Sequence, residues 1–308
     1  EIQRRNRGIS SALGWRLFEI NYSGSRFKRY LYCIPKTIQL ILKERPRIII
    51  VQNPSIVLAT LIVMLKFIFN YKAIIDAHYS GIYPLEGKSK VLYWIDCWLQ
   101  RISDVVIITN DNMNSLVRSN GGRPVILPDK LPDIKKVEPY PIYGKVNIAY
   151  ICTFKEDEPY KDVFEAATFL NDDIVIYVTG DYKDIREETT VPDNVKLLGF
   201  IPEDTYLSLL SSVDFIMDLT HRENCLLCGA YEAVALEKPL ILSDTRALKS
   251  YFYKGCVHVS ATTESILEGV QQAINRNEKL IQEVKELKME LMHTWNRSFD
   301  EFKRAIMS

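Results

Sequence analysis

Short apolar runs alternate with longer segments of helical periodicity along this chain, and that alternation limits its fold more than any other feature. Ile48–Gln52, Lys72–Asp76, Asp104–Thr109, Val146–Cys152, Ile174–Thr179, Val195–Leu198, Asp214–Asp218 and Cys256–Val259 read as strands. Most are continuous runs of Val, Ile and Leu, the pattern of parallel strands covered on both faces. Tyr30–Lys43, Ile56–Phe69, residues 88–102, Asp111–Asn120, Lys161–Leu170 and residues 203–212 read as helices, and residues 263–307 as a long helical tail. Strand and helix in turn predict an α/β chain with parallel sheets. Arg16–Tyr22 is read as one further short strand.

The alternation breaks at residues 124–145, where Pro124, Pro128, Pro132, Pro139 and Pro141 crowd together. Such a stretch reads as a linker between domains, and 308 residues suffice for two cores. The expected division is a Rossmann-like domain over 1–138, a second over 139–290, and a C-terminal helix over 291–308 that crosses back to the first.

Composition narrows the setting. Hydrophobic residues make up 47% and charged residues 25%, a soluble globular balance. The formal net charge is zero, but residues 1–145 hold 22 Lys and Arg against 11 Asp and Glu, and the remainder 17 against 28. A basic first half suits an anionic partner such as a membrane surface or a lipid pyrophosphate; nucleic acid is not expected. The most apolar stretch, Ile56 to Phe69, contains Lys66 and falls short of the roughly 20 residues needed to span a bilayer. It reads as a buried helix or one lying on a membrane. No signal peptide is expected, so the chain is placed in the cytoplasm, peripheral to the inner face of the membrane. Six scattered cysteines do not make a disulfide scaffold, and Cys225-x-x-Cys228 lacks the second pair a zinc site wants. Gly81 to Gly87-Lys88-Ser89 nearly spells a phosphate-binding loop, but five residues separate its glycines instead of four.

The densest chemistry lies at residues 221–244. Glu223 and Glu232 stand nine positions apart, followed by a helical pattern, Lys238-Pro239, the apolar run Leu240-Ile241-Leu242, and Ser243-Asp244. Loop, helix and parallel strand in that order place carboxylates at a helix start beside the carboxyl ends of strands, where open α/β sheets take nucleotide-like ligands.

This order resembles the donor-binding segment of GT-B glycosyltransferases of family four, whose pattern runs E-x7-E-A-(M/V)-A-x-G-(K/R)-P. Gly199-Phe200-Ile201-Pro202, Thr179-Gly180-Asp181 and Trp295-Asn296-Arg297-Ser298-Phe299 are similar to that family's turns and closing helix. Val125 to Pro132 is similar to a linker segment of the mannosyltransferase that builds on dolichol-linked chitobiose. The resemblance implies a GT-B fold, two Rossmann-like domains whose parallel sheets face each other across a cleft. It implies transfer of a sugar from a UDP- or GDP-linked donor to a glycan or lipid-linked acceptor, as in polysaccharide biosynthesis. No cofactor is implied, the donor being a substrate, and no metal, since a strict Asp-x-Asp is missing. Family four implies retention of configuration; the mannosyltransferase-like linker belongs to an inverting family.

The resemblance also implies roles. Glu232 matches the glutamate that accepts the ribose hydroxyls. Glu223 lies beside the place of the glutamate that meets the sugar, with Asn224 at the family's offset because the spacing here is one residue longer. The family has an Arg after the first strand of its second domain and a Lys some residues later. This chain reads Cys152-Thr153 there, leaving Lys155 and Lys161 as phosphate candidates. Gly180, Phe200 and Ile201 belong to donor-side turns. His78 at a strand end joins Glu223 as a catalytic candidate, and Arg4, Arg5 and Arg7 are candidates to grip an acceptor or the donor phosphates. The alternative is a non-catalytic GT-B-like subunit that binds another glycosyltransferase.

Overall fold

A computed structural model describes residues 4–53, 55–183 and 190–308. It divides into two compact units, one running to Lys130 and completed by Trp295–Ser308, the other covering Leu131–Thr294.

The first unit is built on strands β1 (Ile48–Gln52), β2 (Lys72–Asp76), β3 (Val105–Ile108) and β4 (Pro124–Ile126), all parallel and in the order β1-β2-β3-β4. Ile74, Ile75, Ile107 and Ile108 are fully buried, as continuous aliphatic strands require. The helices Arg26–Glu44, Ile56–Phe69 and Lys90–Ile102 accompany this sheet. Trp295, Phe299, Phe302 and Ile306 of the last helix, Asn277–Met307, pack with Ile74, Val105, Ile107 and Leu127.

Two expectations change here. Arg16–Tyr22 is irregular rather than a strand; Leu17 and Phe18 stay exposed, and a lone strand has no neighbour to complete its backbone hydrogen bonds. Conversely, the Pro-rich stretch opens with β4, because Pro124 starts an edge strand, where its missing N–H costs no ladder bond. Among the described residues no helix is long and apolar enough to cross a membrane. The 56–69 helix buries Ala59, Ile62 and Val63 and leaves Met64, Phe67 and Ile68 exposed.

The second unit carries β5 (Val146–Ile151), β6 (Ile174–Thr179), β7 (Val195–Gly199), β8 (Phe215–Asp218), β9 (Leu240–Ser243) and β10 (Cys256–Val259), again all parallel. Their order is β10-β9-β8-β5-β6-β7. The chain therefore adds strands outward from β5 in one direction, then returns and adds them in the other. β5 and β8 are the neighbours where that order reverses, and the crevice outside their carboxyl ends is where such sheets bind ligands. The first sheet has no reversal among its described strands.

Candidate functional site

Three turns converge at the carboxyl end of the second sheet. The first, Cys152–Glu158, follows β5. Phe154 adopts a left-handed backbone (φ 58°), which costs a non-glycine residue about 1–2 kcal/mol. The neighbouring amides of Thr153 and Lys155 both donate to Glu158 Oε2, at 2.7 and 3.2 Å. The Thr153 hydroxyl donates to both Glu158 oxygens, at 3.0 and 3.1 Å, and the Cys152 thiol lies 3.4 Å from Oε2. Burial, reinforced by this carboxylate, raises the Cys152 thiol well above its ordinary value, so the sulfur keeps its proton.

The second turn follows β6. Gly180 has φ 103°, and a Cβ there would lie 1.9 Å from the Cys152 carbonyl oxygen. Only glycine lets this turn approach the first so closely. Beyond it Asp181, Tyr182, Lys183, Gly199 and Phe200 line an open depression of about 440 Å³. Phe200 is 90% exposed, whereas Ile201 packs against the core of the unit.

The third follows β8. Asp218 ends that strand buried and accepts the amides of Gly229 and Ala230, at the start of the helix Cys228–Ala235. Burial, then the charges of Glu158 and Glu232, push its carboxyl well above the carboxylate range. Glu232, in the middle of that helix, is 6% exposed and accepts the Tyr206 hydroxyl at 2.5 Å. Arg222 pairs with Asp157 at 3.2 Å, and Thr220 and Ser243 tie the loop to β9 through a 2.8 Å bond from the Thr220 amide.

The remaining candidates fall as follows. Glu223 spends Oε2 on the Arg246 amide (3.0 Å), capping the short helix that begins there; Asn224 beside it is half-buried. Lys155 and Lys161 are exposed, the first on the Cys152–Glu158 turn and the second on the helix Tyr160–Thr168. His78 belongs to the first unit, just past β2. Its Nε2 lies 3.2 Å from the Gln52 amide nitrogen and 3.6 Å from Asp76 Oδ2. Arg4 and Arg7 are on the surface of the opening helix, Arg7 paired with Glu19 at 3.4 Å.

Arg5 departs from its expected role. Its side chain is only 6% exposed, and it donates to Asp76 through Nε and Nη2 (2.9 Å each to the nearest oxygen), to Asp129 through Nη1 (2.6 Å) and to the Leu127 carbonyl (2.9 Å). A guanidinium so engaged holds the fold together instead of gripping a ligand. Asp218, Glu158 and Tyr206 escaped sequence reading. The strand-terminal position of Asp218 was a usable signal; nothing local marks the other two. Among the described residues no three His, Cys, Asp or Glu side chains cluster so as to hold a metal, and none of the six cysteines is in a disulfide.

No family model matches the chain, and no curated protein sequence matches it. Solved structures do. The sucrose-phosphate synthase of Thermosynechococcus elongatus aligns at a TM-score of 0.75 and 14% identity, over 92% of this chain and 79% of that one. HepE of Anabaena, solved with UDP-glucose, aligns at 0.70 and 11% identity, over 88% and 82%. A Listeria monocytogenes protein assigned as a UDP-N-acetylglucosamine 2-epimerase aligns at 0.61 and 11% identity, over 90% and 79%. The fold is GT-B. At such identities the likeness concerns architecture, and one architecture serves several reactions.

Proposed function

We propose that this chain is a glycosyltransferase that takes a UDP- or GDP-linked sugar on its second unit and passes it, without a metal and with retention, to a glycan or lipid-linked acceptor. The observation that carries the reading is the buried Glu232 carboxylate beside the β5–β8 reversal, oriented by Tyr206 at 2.5 Å. A fixed carboxylate suits a vicinal diol, since its two oxygens can accept from both hydroxyls of a ribose. That HepE was solved with UDP-glucose supports the same ligand class.

In this reading Phe200, Ile201 and Gly180 shape the nucleotide side of the second unit, Glu223 and Asn224 meet the sugar, Lys155 and Lys161 approach the phosphates, and His78 is the catalytic candidate of the first unit. Arg4 and Arg7 remain for the acceptor. The basic first half, with Phe67, Ile68 and Trp94 each about two-thirds exposed or more, rests on anionic lipid. A non-catalytic subunit is the second reading, favoured by Thr153 standing where the resemblance puts an Arg.

The test is calorimetric titration of UDP- and GDP-sugars into the full chain and into Glu232→Ala. Loss of a buried, charge-assisted bond predicts a roughly 10- to 150-fold weaker donor. Equal affinity in both proteins refutes the assignment of Glu232. Donor binding without transfer to any acceptor favours the non-catalytic subunit.

A further inference from the structure

The Cys152–Glu158 turn has the features of an anion receptor. Successive backbone amides around a left-handed residue form a concave nest that holds negative oxygens, and here the amides of Thr153 and Lys155 flank Phe154 at φ 58°. An anion is already seated. The Glu158 carboxylate takes both amides, the Thr153 hydroxyl and the Cys152 thiol. The nest is also anchored, because the Cys152 carbonyl is pressed against Gly180 with no room for a Cβ. Thr153 and Lys155 are exposed, so the nest can be reached from solvent. It follows β5, one of the two strands at the order reversal.

We propose that Glu158 is a built-in competitor for phosphate: its carboxylate fills the backbone nest that phosphoryl oxygens of a nucleotide ligand must use, and the nest takes phosphate only when that side chain swings out. The proposal rests on the nucleotide-sugar reading for its biological ligand, but the nest itself is testable without it. The carboxylate acts in two ways. It occupies the donors, and its charge adds to that of Glu232 around the buried Asp218, to which both couple electrostatically, so the crevice is unwelcoming to a diphosphate. Thr153 cannot offset that charge as an Arg would. Phosphate-bearing ligands therefore bind weakly unless the side chain is displaced, whereas a nucleoside without phosphate is unaffected.

The experiment follows the Thr153 and Lys155 amide resonances of the full-length, isotope-labelled protein during titration with inorganic pyrophosphate. Wild type, Glu158→Ala and Glu158→Gln are compared. The expected result is little movement in wild type and saturable movement in Glu158→Ala, with affinity tighter by about tenfold or more. Glu158→Gln keeps the shape of the turn without the charge and is expected to gain in the same direction, which guards against local unfolding in the alanine variant. Wild-type amides that titrate as readily as those of both variants overturn the proposal, as do variant amides that never respond. Uridine and guanosine, titrated into wild type and Glu232→Ala, report separately on the nucleotide reading. Failure of that arm leaves the pyrophosphate result standing on its own.

Discussion

Arg5→Met removes a charge and every N–H donor of the side chain while keeping an apolar stem. In the native first unit the guanidinium makes contacts of 2.9, 3.1 and 2.9 Å to the Asp76 carboxylate, which is 1% exposed, and one of 2.6 Å to Asp129, which is 26% exposed. Losing the partner of a buried charge costs about 3–5 kcal/mol, against about 0–1 kcal/mol for an exposed pair. The Asp76 contact therefore decides the outcome. Burial alone would push the Asp76 carboxyl up, but the facing Arg5 charge, helped by His78, holds it well below the usual carboxylate range. Wild-type stability from this carboxylate is thus present above about pH 4 and is lost as pH falls through its depressed value. In Arg5→Met the sign reverses: Asp76 is buried without its main partner, its penalty is greatest at neutral pH, and protonation relieves it. We expect the first unit to lose about 3–5 kcal/mol at pH 7, roughly 10 °C in Tm, with the gap to wild type narrowing toward pH 4. All four tryptophans, Trp15, Trp94, Trp98 and Trp295, belong to this unit, so tryptophan fluorescence in urea follows it specifically. A loss below about 1 kcal/mol at pH 7, or a gap that ignores pH, refutes the reasoning.

Two further outcomes are expected. Asp96 lies buried on the helix Lys90–Ile102, with Oδ1 accepting from Asn53 at 3.1 Å and Oδ2 unpartnered among the described residues. Burial pushes it up to about 7, so its contribution is full below about pH 4 and is lost as pH rises through 7. Asp96→Asn should gain on wild type across that window, by up to about 4 kcal/mol at alkaline pH, read as Tm against pH; parallel curves would sink the idea. Gly180→Ala should cost well over 2 kcal/mol in urea midpoints because Cβ meets a backbone carbonyl at 1.9 Å. Gly199→Ala, also at positive φ but with its nearest neighbour at 3.5 Å, should cost about 1 kcal/mol; equal losses would mean that the turn yields.

The legible and illegible parts of the sequence divide along physical lines. Ile48–Gln52, Lys72–Asp76 and Ile174–Thr179 are strands with the expected bounds, and another lies at Cys256–Val259 as expected, because their centres are continuous apolar, mostly β-branched runs. The helix Ile56–Phe69 is equally plain. Arg16–Tyr22 has the alternation of a strand but no partner, and pairing is a tertiary fact. β4 hides behind Pro124, a residue that argues against strand except at an edge. In the candidate site Glu232 drew notice through its place in a motif, and the structure buries it against Tyr206. Tyr206 was not, since the bond joins residues 26 positions apart, and Glu158 was not, since its partners are main-chain amides with no side-chain signature.

The last helix has a consequence for how the chain is made. Leu280, Val284, Leu287 and Leu291 complete the core of the second unit, whereas Trp295, Phe299, Phe302 and Ile306 complete that of the first. A ribosome that has finished β4 must therefore add every residue to Trp295 before the first sheet receives its final cover. At about 5–20 residues per second that is a delay of roughly 10–30 s. During it, the surface formed by Ile74, Val105 and Ile107 waits open, so a sheet synthesised before the second unit receives its cover only after that unit is complete.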